Sequence, residues 1–245
     1  MSRVIFKNDK EVITIRKKLC AVLLLIVMIL SSTTGCNKTV VNDNNSMQAS
    51  NFSQLELSKD NMTKTIQEIT TNPREVNSEQ IKVVEEYLIK QFKSYGYTQI
   101  DKQQFFYNND NNEKAIRRSS QLDIYLAPTA NSTDADGVGN NIIVTKNVDD
   151  TTKELILSAH FDSNKNSYGV NDNASGVAVV LELARVLSDV DLPYNLKFIM
   201  FSGEEKYMLG SRWYVNTLSK EERKNIIGVI NIDTIAEKSD LGWQD

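Results

Sequence analysis

The chain has 245 residues, 40% hydrophobic and 24% charged, with a net charge of −4 and a pI near 5.3. That length suffices for one main domain with a full core, and the interspersed 28 basic and 32 acidic residues leave no basic stripe for nucleic acid. The two cysteines, Cys20 and Cys36, lie inside and just after an N-terminal apolar run, which excludes thiolate catalysis, Cys-ligated zinc and a disulfide in the body of the chain.

Arg16, Lys17 and Lys18 precede that run, "LCAVLLLIVMIL" from Leu19 to Leu30, and "SSTTGC" follows it. A basic start, a short apolar stretch and small residues are the pattern of an export signal, and the run is shorter than the roughly 20 residues of a spanning helix. Gly35-Cys36 resembles a bacterial lipoprotein box, although Thr33 stands where leucine is usual. Segment 1–36 is therefore expected to be a signal peptide or membrane anchor. The body is expected outside the cytoplasm, held at the outer face of the cell membrane by a lipid on Cys36 or by an N-terminal helix, or secreted. Residues 37–60, rich in Asn and Ser, read as a flexible tether.

Two helices come next, "NMTKTIQEIT" and, beyond Pro73, "SEQIKVVEEYLIKQFKSYG", in which Ile81, Val84, Leu88 and Phe92 recur at helical spacing between Ser78 and Gly96. "QQFFYN" reads as a strand. The polar stretch 108–139 reads as an irregular surface excursion with a strand-like "LDIYL" inside it. From Asn140 the pattern is regular. "NNIIVTK", "KELILSAHFD", "NLKFIMFSG" and "IIGVINIDTI" are strands. "ASGVAVVLELARVLSD" is an apolar helix with Asn173 or Ser175 to cap it, and "LGSRWYVNTLS" with "KEERKN" forms another helix and its exit. Apolar strands alternating with helices specify an α/β domain with a mixed, largely parallel central sheet and helices on both faces.

In such sheets ligands gather at the carboxyl ends of strands, where His160, Glu204, Glu205 and Asp233 fall, with Asp172 before the apolar helix. Singly these residues have ordinary explanations: a strand-end histidine, a carboxylate on a helix dipole, a solvated acidic pair, an edge-strand aspartate. Together, one imidazole and three of these four carboxylates match the ligand set of a divalent ion. Beyond the "SG" break, the adjacent glutamates can be aimed at two tasks, one holding metal and the other taking a proton from water. Asp162 is placed to accept the second ring N–H of His160.

"SAHFDS", "GVNDNASGVAVVLELARVL", "FSGEEKYMLGS" and "VINIDTI" resemble, in order and spacing, the zinc aminopeptidases of metallopeptidase family 28, the aminopeptidase Y family, over Asn61 to the last residue. The resemblance implies a zinc-exopeptidase-like, phosphorylase/hydrolase-like three-layer sandwich over residues 61–245. It further implies two zinc ions bridged by Asp172, with His160 and Asp233 at one and Glu205 at the other. Glu204 would be the general base and acid, Asp162 the orienting partner of His160, and peptides with a free N-terminus the substrates.

The family completes its second zinc site with another histidine, carried beyond the strand of the last aspartate, whereas this chain has one histidine. The sequence is accordingly expected to be C-terminally incomplete, with its own activity in question. Two other readings stand beside the aminopeptidase: a glutaminyl-peptide cyclotransferase, which uses one zinc on the same scaffold, and a non-catalytic surface protein.

Overall fold

A computed structural model describes residues 55–109, 133–148 and 151–236. The elements below belong to one compact unit, Leu57–Thr234; of a second unit, Met1–Glu56 with Ile235–Asp245, no element is described. The signal or anchor read over 1–36, most of the tether and the "LDIYL" stretch lie outside the described residues. No helix among the described residues is long and apolar enough to cross a membrane.

Helix α1 spans Lys59–Ile69, capped by Ser58, whose hydroxyl accepts the Asn61 N–H. It begins inside the segment read as tether, because Glu182 from a distant helix accepts both the Ser58 N–H, at 2.5 Å, and an Asn61 side-chain N–H. Local composition carries no trace of that long-range anchor. Helix α2, Glu79–Ser94, starts at Ser78, whose hydroxyl accepts the Ile81 N–H at 3.2 Å. It buries Ile81, Val84, Leu88 and Phe92, the stripe predicted by their spacing.

Five strands form one sheet in the order β1-β2-β4-β3-β5: β1 Gln99–Tyr107, β2 Gly137–Lys146, β3 Glu154–His160, β4 Asn195–Phe201 and β5 Ile226–Asn231. The sheet is mixed: β1 and β2, and β2 and β4, run antiparallel, while β3 runs parallel to both β4 and β5. β2 starts three residues inside the stretch read as irregular. Its two early glycines suggest a loop, but Gly139 pairs with Phe105 and Gly137 with Tyr107, and each ring occupies the space a Cβ would need.

Between the strands lie α3 (Gly176–Leu187), α4 (Leu209–Thr217) and the short α5 (Lys220–Asn225), which opens with a Ser219–Glu222 capping box. Both faces of the sheet are covered. On one, Phe92 and Tyr97 pack against Phe198 with ring centres 6.1 and 5.5 Å apart. On the other, Tyr214 of α4 joins Ile156 and Ile199 in a second cluster. The uninterrupted apolar run Leu155-Ile156-Leu157 follows from burial on both sides, each such side chain contributing about 1.5–3 kcal/mol.

Parallel pairing sets the geometry that matters for chemistry. His160 aligns with Phe201 across β3 and β4, and Ser158 with Asn231 across β3 and β5. The ladders run on past the strand ends, with Phe161 N–H donating to the Phe201 carbonyl at 2.9 Å and Ile232 N–H to the Ser158 carbonyl at 2.8 Å. The residues after all three strands thus emerge at one edge of the sheet.

Candidate metal centre

His160 is the last residue of β3, 3% exposed. Its Nε2 lies 2.9 Å from Asp172 Oδ1 and 3.6 Å from Asp233 Oδ1. One ligand atom from each of these three residues lies within 4.8 Å of the others, and this is the only such cluster of His, Cys, Asp or Glu among the described residues. Two ligands held about 2 Å from a common ion stand no more than about 4 Å apart, which both Nε2 distances satisfy. Asp233 Oδ1 is buried with no hydrogen-bond partner. A polar atom left so costs free energy unless something absent from the polypeptide meets it, and the donor set of one imidazole and two carboxylates fits a zinc-like ion.

Asp172 is not a helix cap. It sits in a distorted turn, Val170–Ser175, with φ −106° and ψ 95°, and the following peptide bond is cis. Asn173 performs the capping: its Oδ1 accepts the Gly176 N–H that opens α3 and, at 3.3 Å, the Thr234 N–H, while its Nδ2 donates to the Ile232 carbonyl. One buried amide therefore ties the Asp172 turn to the chain on either side of Asp233. Asp233 itself follows β5 by two residues instead of lying within the strand as read.

Glu204 and Glu205 follow β4 in a turn beginning at Gly203, whose φ is +72°. Their backbone N–H groups both donate to Asp162, to Oδ1 and Oδ2 respectively, each at 3.1 Å. Asp162 also faces His160, with Oδ1 3.4 Å from Nδ1, but Nδ1 makes no hydrogen bond. The expected orienting contact is thus a close approach, and the stronger role of this wholly buried carboxylate is to hold the glutamate pair against the histidine.

The charges act on one another accordingly. Burial disfavours a charged His160, but the close approach of the Asp162 and Asp233 carboxylates reverses this and raises its pKa to about 10. Burial first, then Asp162, Glu205 and Asp233, push the Glu204 carboxyl up, with His160 opposing. Glu205 is pushed up by burial and then by Asp172 and Asp162. Glu204 therefore feels the His160–Asp233 side and Glu205 the Asp172 side. Glu205 is outside the three-residue cluster.

Two residues went unnoticed in the sequence. Arg74, between α1 and α2, is completely buried, and its guanidinium donates to the carbonyls of Phe161, Tyr168 and Gly169. Ser163 accepts the Arg74 N–H at 3.0 Å. An arginine after "NP" reads locally as loop charge, and only the fold reveals where it goes.

Comparison with known proteins agrees with this geometry. Aminopeptidase YwaD of Bacillus subtilis (strain 168) is 43% identical over 81 residues, 33% of this chain and 18% of that protein; the chain thus spans about a fifth of the length of this curated relative. The solved aminopeptidase from Aneurinibacillus sp. strain AM-1 superposes with a TM-score of 0.59 at 22% identity, covering 73% of this chain and 70% of that one. Porphyromonas gingivalis glutaminyl cyclase gives 0.57 at 19%, covering 73% and 59%. These likenesses establish the α/β fold. Residues 141–241, which hold His160, Asp172, Glu204, Glu205 and Asp233, match the model of peptidase family M28.

Proposed function

We propose that this protein is a zinc-dependent aminopeptidase that removes the first residue from peptides with a free N-terminus. The observation that carries the reading is the convergence of His160, Asp172 and Asp233 within 4.8 Å, beside a glutamate pair clamped by Asp162. His160, Asp172 and Asp233 would hold one ion, and Glu205, next to them, would supply a donor toward a second. When bound, zinc contributes Lewis acidity at the scissile carbonyl and makes nearby water easier to deprotonate.

The protein's own groups do the rest. Glu204, its pKa raised by burial, takes a proton from the attacking water and returns it to the departing amine. Asp162 fixes the backbone of Glu204 and Glu205, which holds the root of the base beside His160.

The full chain incubated with zinc should release the first amino acid from a free-amine peptide and leave its N-acetylated counterpart intact, with a chelator stopping the release. Equal cleavage of both peptides, or none, overturns the proposal. A second reading, cyclisation of N-terminal glutamine, rests on the fold likeness to glutaminyl cyclase. It predicts ammonia loss from a glutamine peptide without release of the first residue, which mass spectrometry reads directly.

The proposal extends to location: the body acts outside the cytoplasm, anchored through Cys36 or the apolar segment before it. A lipid-sized mass increment on the N-terminal peptide beginning at Cys36 supports the lipid form, and an intact segment 1–36 supports the helical one.

A further inference from the structure

Arg74 is the largest of the fully buried side chains, and none of its described hydrogen bonds reaches a carboxylate. A buried guanidinium is costly, and burial lowers its pKa to about 10 even with Asp162, Asp172 and Glu205 acting on it from a distance. The elements it joins explain why it is there.

Nε donates to the Phe161 carbonyl at 2.6 Å, the residue after His160. Nη1 donates to Tyr168 at 2.5 Å and Nη2 to Gly169 at 2.9 Å, three residues before Asp172. The backbone closes the clasp, with Arg74 N–H on Ser163 Oγ and Ser163 N–H on the Arg74 carbonyl at 3.3 Å. Ser163 Oγ in turn donates to the Ser167 carbonyl at 2.9 Å. Both ends of the loop between His160 and Asp172 are thus pinned by one planar group. The fit is tight at Gly169, where φ is +56° and an added Cβ would stand 2.5 Å from the Asp172 carbonyl and 2.9 Å from Arg74 Nη1.

The geometry points to Arg74 as a positioning residue of the metal centre: by clasping the 161–169 loop it holds Asp172 against His160 and so sets the affinity for the divalent ion. The inference rests on the metal-binding part of the proposed function. The guanidinium presents its donors in a rigid planar fork spanning both ends of the loop, a geometry that the point-like ammonium of lysine does not reproduce. A buried arginine serving stability alone would lower the melting temperature and leave the ion affinity of the folded protein unchanged.

The test uses the full chain and its Arg74→Lys and Arg74→Met variants, with zinc affinity measured by chelator competition well below every melting point. Loss of such an outer partner weakens binding about 10- to 100-fold. As the chain has one histidine, its ring NMR signal follows the site directly, and the variants should show a displaced or broadened zinc-bound signal. Folded variants with affinity within about twofold of the parent overturn the inference.

If neither variant folds, Ser163→Ala, which keeps the guanidinium and removes one tie, should weaken zinc binding in the same direction, and unchanged affinity overturns the inference. Should the parent bind no zinc, the proposed function falls. Amide exchange of the metal-free chain then decides the positioning role: faster exchange confined to 161–172 in Ser163→Ala or Arg74→Lys supports it, and uniform or absent change overturns it.

Discussion

Glu85 and Glu182 are as deeply buried as Asp162, yet the fold treats them differently. Glu85 accepts Lys102 Nζ at 2.5 Å and the Asn140 amide. Glu182 takes two donors of Arg185, the Ser58 N–H and an Asn61 amide. Each has its cation and a full set of donors, so it joins helices to strands or to one another at little electrostatic cost. At the sheet edge, Asp162, Asp172 and Asp233 converge on one imidazole, with Asp162 gripping the backbone of Glu204 and Glu205, and among the described residues the ion pairs of the three aspartates are with His160 alone. Arg74, the nearby cation, directs its described hydrogen bonds at carbonyls. Matched charge marks scaffold. Unmatched charge marks a place where an ion is expected.

Substitutions should separate the two classes by size of effect. The largest concerns Glu204→Gln, which should lower kcat about 10²- to 10⁴-fold while zinc affinity stays within about twofold. Glu85→Gln, a buried acid of the matched class, should leave kcat unchanged within about twofold, and steady-state kinetics with parallel zinc titration checks both. Next, Asp162→Ala should weaken zinc binding about 10- to 100-fold. It should also cost roughly 2–4 kcal/mol in urea unfolding, since two amides lose their acceptor.

The third effect is on pH. His160 has its pKa raised from 6.5 to about 10, so in the metal-free protein its protonation contributes stability that is complete below pH 6.5 and is lost as pH rises toward 10. Urea midpoints of the metal-free chain should fall across that window, and the single histidine should titrate near 10 by NMR. Bound zinc displaces that proton, so its addition at neutral pH should acidify a weakly buffered solution. A histidine titrating near 6.5 without metal breaks the comparison. The smallest effect is the stability cost of Glu85→Gln itself, about 1 kcal/mol, because Lys102 is half exposed and keeps much of its hydration.

The elements of the sheet and its helices were readable because their signals are local. The stripe Ile81, Val84, Leu88, Phe92 and the double-faced run Leu155-Ile156-Leu157 announce their partners by period alone. The cluster was readable because parallel strands deliver their ends to one edge, so His160 and the residues after β4 and β5 could be placed together before any coordinate was known. Arg74 was not readable, since its contacts lie across a gap of 87 to 95 residues and its neighbourhood looks like a loop. The double duty of Asp162 was half legible: its nearness to His160 follows from the "HFD" spacing, whereas its grip on the backbone of Glu204 and Glu205 needs the turn after β4. The early start of β2 was hidden by glycines whose purpose is to make room for rings on the neighbouring strand.

The central place of β3, between β4 and β5, bears on how the protein comes into being. A chain grown past the turn after β4 already owns His160, Asp172 and both glutamates, but Asp233 arrives only when β5 has docked along β3. Pairing of strands so far apart in sequence is slow, since loop closure must precede the reward of contact. An ion that needs all three donors would ignore the half-built sheet and bind only the finished one, drawing the last docking step forward by mass action. Metal uptake would therefore act as an inspector of assembly, since the folded edge would be rewarded only after its final strand is in place.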